Sequence, residues 1–138
     1  MELALRCGAH AALPAAGLTP EAVRAETGAE GASLVLDFVG KDETMALAAG
    51  VVAVGGAITV IGVGGGTLPF GFGALPFECS LSAPNWGTRP ELFEVVGLAR
   101  AGAIDTEIQR FSLDDALEAY RRLHAGEVLG RGVVVPNG

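Results

Sequence analysis

The sequence has 138 residues, of which 50% are hydrophobic, 21 are glycine and only 6% are aromatic. Its length allows one domain with a single core, and its many small side chains are typical of closely packed α/β layers. The formal net charge of −7 argues against a nucleic-acid or anionic-membrane partner, because such partners need clustered Lys and Arg.

Other features of the composition predict a soluble cytoplasmic protein. The residues after Met1 lack the long apolar core of a signal peptide. No apolar run reaches the roughly 20 residues of a membrane-spanning helix without a glycine-rich interruption. Cys7 and Cys79 are too few for a disulfide framework or a tetrahedral zinc site, so we expect both to behave as small hydrophobic residues.

The N-terminal segment predicts two short helices with a very short strand between them. Residues 2–6 have the pattern of the last turns of a helix, and residues 11–13 suggest the strand. Thr19 is a candidate N-cap, Pro20 suits the first helical position, and Gly28 ends the second helix. We expect this segment to be too short to supply the strands and glycine-rich turn that usually precede a buried nucleotide-binding strand.

Two buried strands joined by a helix are predicted next. Residues 34–39 are almost entirely apolar without alternation, which is typical of a parallel strand covered on both faces. A helix begins at Asp42 or the lysine before it and runs through Val54, where the two glycines at 55–56 end it. Residues 57–63 form the second strand. This order predicts a right-handed parallel crossover.

The C-terminal half continues the pattern after a loop rich in Gly and Pro. Four apolar residues lie at helical spacing after Arg89 and indicate one face of a helix. The predicted elements are a strand at 79–83, a helix from Arg89 to Gly102, a strand at 106–111, a helix at 112–124 and a strand at 130–136. The last three form a strand–helix–strand tail.

The run Gly62–Gly66 is the clearest candidate for ligand chemistry, because glycine-rich turns after a strand let the backbone approach a phosphate. It departs from the phosphate-binding fingerprint. Thr67 stands where the third glycine belongs, and Pro69 follows where helix amides should point. A flexible turn at the carboxyl end of a strand is the favoured interpretation, and such a turn can still line a site.

Few other side chains suggest chemistry. His10 and His124 each stand alone, without a Cys, Asp or Glu at ligand spacing, so we expect neither to bind a metal or act as a base. Ser80 and Ser82 lack the sharp glycine-flanked turn that exposes a nucleophile. Arg131 is different, because its two glycine neighbours tolerate a crowded backbone and its long side chain is able to reach an anionic group from there.

Five segments together resemble the C-terminal half of a medium-chain zinc-dependent alcohol dehydrogenase, of the bacterial NAD-dependent type acting on secondary alcohols. They are Asp37–Gly40, Ile61–Val63, Pro84–Glu91, Tyr120–Leu123 and Gly130–Pro136. The resemblance implies an α/β fold, an incomplete Rossmann-like parallel sheet with flanking helices that lacks its first two strands, followed by the C-terminal tail. Residues 1–103 would form the partial dinucleotide-binding domain, and residues 104–138 would return to the catalytic domain.

The resemblance also implies which residues contact NAD. In the family, backbone after the fourth cofactor-domain strand passes beside the dinucleotide, and the next turn borders the nicotinamide. Main-chain groups of a Pro-x-Trp segment hold the carboxamide, and an arginine reaches the pyrophosphate, where a charge-assisted hydrogen bond is strong. In that order, the matching residues are Phe38 and Val39; Ile61, Gly62 and Val63; Pro84 and Trp86; and Arg131.

Much of the family's machinery has no counterpart in this sequence. The zinc ligands, substrate pocket, proton relay, Gly-x-Gly-x-x-Gly strand and the acid that selects NAD over NADP all precede the position matched by Met1. Hydride transfer needs a cofactor and a metal-polarised alcohol held together. We therefore expect no catalytic residue and no metal ligand here, and a truncated or split oxidoreductase that is inactive without a polypeptide supplying the front half.

Loss of the first two strands would remove the centre of the sheet and leave residues 34–39 as an apolar edge. We expect marginal stability and association through that edge or through residues 75–83, as a homo-oligomer or with a complementing N-terminal dehydrogenase fragment. One alternative is a non-catalytic interaction module that pairs with full-length dehydrogenase subunits. Another is a zinc-independent quinone or enoyl reductase, which the segment Trp86–Arg89 disfavours.

Overall fold

Five helices and five strands make up the described part of the chain in the computed structural model, which describes residues 1–28 and 30–137. The unit Met1–Gly87 contains α1 (Glu2–Arg6), α2 (Pro20–Thr27), β1 (Ala32–Asp37), α3 (Asp42–Val51), β2 (Val52–Val60) and β3 (Ser80–Ser82). The unit Thr88–Gly138 contains α4 (Arg89–Arg100), β4 (Ile108–Ser112), α5 (Ala116–His124) and β5 (Arg131–Val135). The predicted α/β class is confirmed. In the described part of the chain, no helix is long and apolar enough to cross a membrane.

The first unit is built on a parallel sheet with the strand order β1-β2-β3. Val35, Ile58 and Leu81 stand side by side across the three strands and point to one face. Ala48 of α3 packs on that row, and together with Val52 and Ile58 it forms the small buried core. The two apolar strands therefore pair in parallel with α3 as the crossover between them, as the sequence predicts.

Strand β1 lies at the edge of this sheet, as the sequence analysis predicts. The prediction that both of its faces are covered was wrong for the first unit. Leu34 and Leu36, which alternate with Val35, are 55% and 49% exposed. Helix α3 covers only the Val35 face, so a strand whose composition suits burial on both sides is buried on one.

Strand β2 begins at Val52, five residues before the predicted start at residue 57, and the helix before it ends at Val51, three residues before the predicted Val54. The glycines at 55–56 lie inside the strand. Ala32 pairs with Val52, whereas Leu34 pairs with Ala57. Two residues along β1 therefore correspond to five residues along β2, and the extra residues of β2 form a bulge. Gly55 adopts a φ of 71° there, and its N–H donates to the Phe77 carbonyl at 2.9 Å.

Two other predicted strand limits were wrong. Residues 11–13 form no strand, because no described strand pairs with them. Strands β1 and β2 end at Asp37 and Val60, so the residues expected to complete them, 38–39 and 61–63, instead form the turns at the carboxyl edge of the sheet.

The second unit has its own parallel pair, β4 and β5, joined through α5. Ala119 of α5 is buried against these strands. The predicted start of α5 at residue 112 was wrong, because Ser112 completes β4. Its hydroxyl accepts a hydrogen bond from the Asp115 N–H at 3.2 Å and so forms the turn before the helix.

Candidate functional site

Asp37 closes strand β1 and shapes the turn that follows it. Its carboxylate is buried, with 6% of the residue exposed. Oδ1 accepts hydrogen bonds from the N–H groups of Val39 at 2.8 Å and Gly40 at 2.9 Å, and Oδ2 accepts from the Thr44 hydroxyl at 2.8 Å. The Thr44 side chain also caps the start of α3 through the Lys41 N–H. One carboxylate therefore joins the strand, the turn and the helix.

These contacts keep Asp37 ionised. Burial by itself would raise the pKa of the Asp37 carboxyl. The hydrogen bonds from Gly40, Val39 and Thr44 stabilise the charged form and together outweigh burial, so the pKa lies below its ordinary value.

The glycine-rich run lies directly against this turn. The Asp37 carbonyl accepts from the N–H groups of Ile61 at 2.7 Å and Gly62 at 3.0 Å. Further along, the Gly64 N–H donates to the Val39 carbonyl at 3.0 Å and the Gly66 N–H to the Gly40 carbonyl at 2.8 Å. Because these N–H groups are already bonded to backbone, they are not presented to a phosphate, and the disfavoured phosphate-loop interpretation is not supported.

Close backbone packing explains three glycines of this run, Gly62, Gly64 and Gly66. A Cβ added to Gly62 would lie 2.5 Å from the Phe38 carbonyl carbon, and one on Gly64 would lie 2.6 Å from the Val39 carbonyl oxygen. A Cβ on Gly66 would lie 2.5 Å from the Asp42 nitrogen. The even-numbered glycines therefore face the turn after β1, where no side chain fits.

The turns after β1 and β2 border a cavity of about 410 Å³ at the carboxyl edge of the sheet. Its walls are mostly glycine backbone and small side chains: Gly40, Met45, Val60, Gly62, Gly65, Gly66, Leu81, Ser82 and Ala83. This edge is where open parallel α/β sheets bind ligands. The volume falls in the range of small-molecule sites, roughly 300–1,000 Å³.

The structure brings together part of the predicted cofactor site. Phe38 and Val39 lie in the turn that is hydrogen-bonded to Ile61 and Gly62 through the Asp37 carbonyl. Val63 follows and is 97% exposed, so its side chain points away from the packed turn. The roles assigned to these residues stay predictions.

The remaining predicted site residues are Pro84, Trp86 and Arg131. Pro84 and Trp86 follow β3 in the first unit, and Trp86 is 92% exposed with a φ of 59°, which is uncommon for a large side chain. Arg131 opens β5 in the second unit, where its side chain is exposed and its N–H donates to the Glu107 carbonyl at 2.9 Å.

Asp37 is the residue that the sequence analysis missed, since it entered only as part of a similar segment. An available signal was an Asp at the end of an apolar strand with a glycine three residues later, because Asp side chains commonly accept hydrogen bonds from backbone in such turns. No group of three or more His, Cys, Asp or Glu within the described residues could hold a metal ion. His10 and His124 are both exposed.

Comparison with known proteins adds to this geometry. A family model described as zinc-binding dehydrogenase matches residues 8–134. The D-arabinose 1-dehydrogenase (NADP(+)) of Saccharolobus solfataricus is 34% identical over 107 residues, which are 77% of this chain and 31% of that protein. The NAD-dependent alcohol dehydrogenase of Sulfolobus acidocaldarius is 32% identical over 122 residues, or 83% of this chain and 34% of that protein. The chain thus spans about a third of the length of these curated relatives.

A solved structure is also similar. The alcohol dehydrogenase from Aeropyrum pernix matches with a TM-score of 0.85 and 31% identity, covering 98% of this chain and 39% of that one. A parallel sheet with flanking helices is therefore shared with an alcohol dehydrogenase over almost all of the present chain.

Proposed function

The chain belongs to the zinc-binding dehydrogenase family, and from this premise we propose that it supplies part of the NAD(P)-binding region of an alcohol dehydrogenase. The observation that carries the proposal is the cavity of about 410 Å³ at the carboxyl edge of the parallel sheet. Its glycine walls let a ligand approach the backbone closely.

The described residues fit part of a dinucleotide site. Backbone at Phe38 and Val39 and the turn Ile61–Val63 would lie along the cofactor, with Pro84 and Trp86 at its carboxamide. When bound, NAD(P) supplies the hydride acceptor or donor of the reaction. The part played by this chain is to bind and orient the cofactor.

The same residues do not fit a zinc site. In the part of the chain that the structure describes, no cluster of His, Cys, Asp and Glu has a metal-binding arrangement. We propose that these residues are inactive alone and that alcohol oxidation needs the metal ligands and substrate pocket of a complementing N-terminal dehydrogenase segment.

Arg131 provides the sharpest test of the cofactor proposal. Its exposed guanidinium would pair with the cofactor pyrophosphate through charge-assisted hydrogen bonds. Isothermal titration of the folded chain with NADH and, separately, NADPH should give micromolar binding to at least one. Arg131→Ala should weaken it by about tenfold or more, the effect of losing a hydrogen bond between charged groups.

A matched control separates this contact from general loss of positive charge. Arg110 is an exposed arginine on the neighbouring strand β4, so Arg110→Ala changes the net charge equally. Affinity that falls only in Arg131→Ala supports the proposed contact. An equal fall in both variants would contradict a specific pyrophosphate contact, and no binding by the folded wild-type chain would contradict the cofactor function.

A non-catalytic interaction module is the second candidate, and the edge position of β1 favours it. An edge strand offers unpaired backbone groups to another chain, and Leu34 and Leu36 add exposed apolar surface. Leu34→Lys should reduce association measured by light scattering after size-exclusion chromatography. Leu117→Lys, on the exposed surface of α5, is the control. Association that survives Leu34→Lys, or is lost equally in both variants, would contradict pairing through β1.

A further inference from the structure

We propose that Asp37 is a positioning residue for cofactor binding, because it ties the turn after β1 to the turn after β2 and so fixes the wall of the cavity between them. This inference rests on the proposed NAD(P)-binding function. Asp37 is buried beneath the turns and does not line the cavity itself.

Asp37 contacts both turns at once through different groups. Its side chain holds the first turn by accepting hydrogen bonds from the N–H groups of Val39 and Gly40. Its main-chain carbonyl holds the second turn by accepting from Ile61 and Gly62. The position of one turn is thereby fixed relative to the other.

The effect extends beyond the groups that Asp37 touches. The Asp37 carboxylate accepts from the N–H groups of Val39 and Gly40. The carbonyls of these same two residues accept from the N–H groups of Gly64 and Gly66. Releasing the first turn should therefore also release these two amides. At the far end the Thr67 N–H donates to Asp42 Oδ1 at 2.7 Å, so the second turn stays attached there when Asp37 is changed.

The Thr44 hydroxyl fixes the orientation of the carboxylate. It donates to Asp37 Oδ2 at 2.8 Å while α3, which carries it, packs on β1 and β2. An asparagine at position 37 can keep the acceptor toward Val39 and Gly40 and donate to Thr44 instead. Asp37→Asn should therefore preserve the arrangement, whereas Asp37→Ala removes all of its side-chain hydrogen bonds.

The test combines amide hydrogen exchange by NMR with NADH titration on the full chain. In Asp37→Ala we expect loss of protection at the Gly64 and Gly66 amides and about tenfold or more weaker NADH binding, with both restored in Asp37→Asn. The Gly55 amide, bonded to Phe77 at the other end of β2, should keep its protection and report that the sheet is folded. Asp114→Asn, at an exposed acid, controls for charge and should change neither measurement.

Two results would overturn the inference. One is full protection of Gly64 and Gly66 in a folded Asp37→Ala chain. The other is loss of that protection with unchanged NADH affinity, which would leave Asp37 with a purely structural role. If Gly55 also loses protection, the Asp37→Ala variant has unfolded. The exchange measurement is then repeated on Thr44→Val, which removes only one hydrogen-bond donor to the carboxylate. Partial loss at Gly64 and Gly66 supports the inference, and no loss overturns it.

Failure of the proposed function would look different. A folded wild-type chain that does not bind NADH would contradict the cofactor site and, with it, a positioning role for Asp37 in cofactor binding. The exchange measurements would still report whether Asp37 ties the two turns, because they need no ligand.

Discussion

Gly62 is the position where one added methyl group should disturb the candidate site most. A Cβ there would overlap the backbone of Val39 and lie 2.5 Å from the Phe38 carbonyl carbon. Ordinary carbon contacts are about 3.5–4.0 Å, so the turn after β1 would have to move by about 1 Å or more. Overpacking of this kind costs about 1–3 kcal/mol.

The displacement should also weaken the hydrogen bond from the Gly62 N–H to the Asp37 carbonyl, which measures 3.0 Å. A hydrogen bond of this kind contributes about 0.5–1.5 kcal/mol. Gly62→Ala should therefore lower the free energy of unfolding by about 1.5–4.5 kcal/mol.

Gly71 supplies the matched control, because a Cβ there meets nothing within 4 Å and its backbone is outside the left-handed region. Gly71→Ala should raise the free energy of unfolding by about 0.4–1 kcal/mol, because alanine lowers the conformational entropy of the unfolded chain. Urea unfolding followed by far-ultraviolet circular dichroism measures both variants. A Gly62→Ala chain within about 0.5 kcal/mol of wild type, the usual range of neutral surface changes, would refute the close packing of the two turns.

Four further predictions concern the core, helix α4 and the titration of Asp37. Ile58→Ala removes a side chain that is 1% exposed and should cost about 2–5 kcal/mol in urea unfolding, whereas a loss below about 1 kcal/mol would contradict its place in the core. A Cβ at Gly97 of α4 would meet no atom within 4 Å, so Gly97→Ala should raise the free energy of unfolding by about 0.5–1 kcal/mol. A lower urea midpoint in this variant would contradict the helical assignment. Thr88→Ala removes the acceptor for the Glu91 N–H and should cost about 1 kcal/mol and reduce helical ellipticity, whereas Thr88→Ser should retain both. The pKa of Asp37 is held below its ordinary value, so its contribution to stability is present above the unfolded pKa of about 3.9 and is lost as the pH falls through the folded pKa. Urea midpoints at about pH 3 and 6 should therefore differ more in wild type than in Asp37→Asn, and equal differences would contradict this role.

Several elements of the fold were predictable because they depend on neighbours in sequence. Thr19 accepts a hydrogen bond from the Ala22 N–H at 3.3 Å, as its N-cap position predicts. Thr88 and Glu91 form the reciprocal cap of α4. Such bonds close within three residues, so a local pattern is enough to identify them. The apolar run of β1 and its parallel pairing with β2 were predictable for a similar reason, since composition and connection length favour a parallel crossover.

The sequence by itself determined the helices, the parallel strands and the family, whereas only the tertiary structure decided how the site is assembled. The start of β2 depends on its pairing with Ala32, twenty residues away, which turned two predicted helix-ending glycines into a strand bulge. Gly62, Gly64 and Gly66 have no room for a side chain because the turn after β1 lies against them, and Asp37 matters because it reaches both turns. These features depend on contacts between stretches of backbone that are far apart in sequence. The periodicity of one stretch does not predict which other stretch will pack against it.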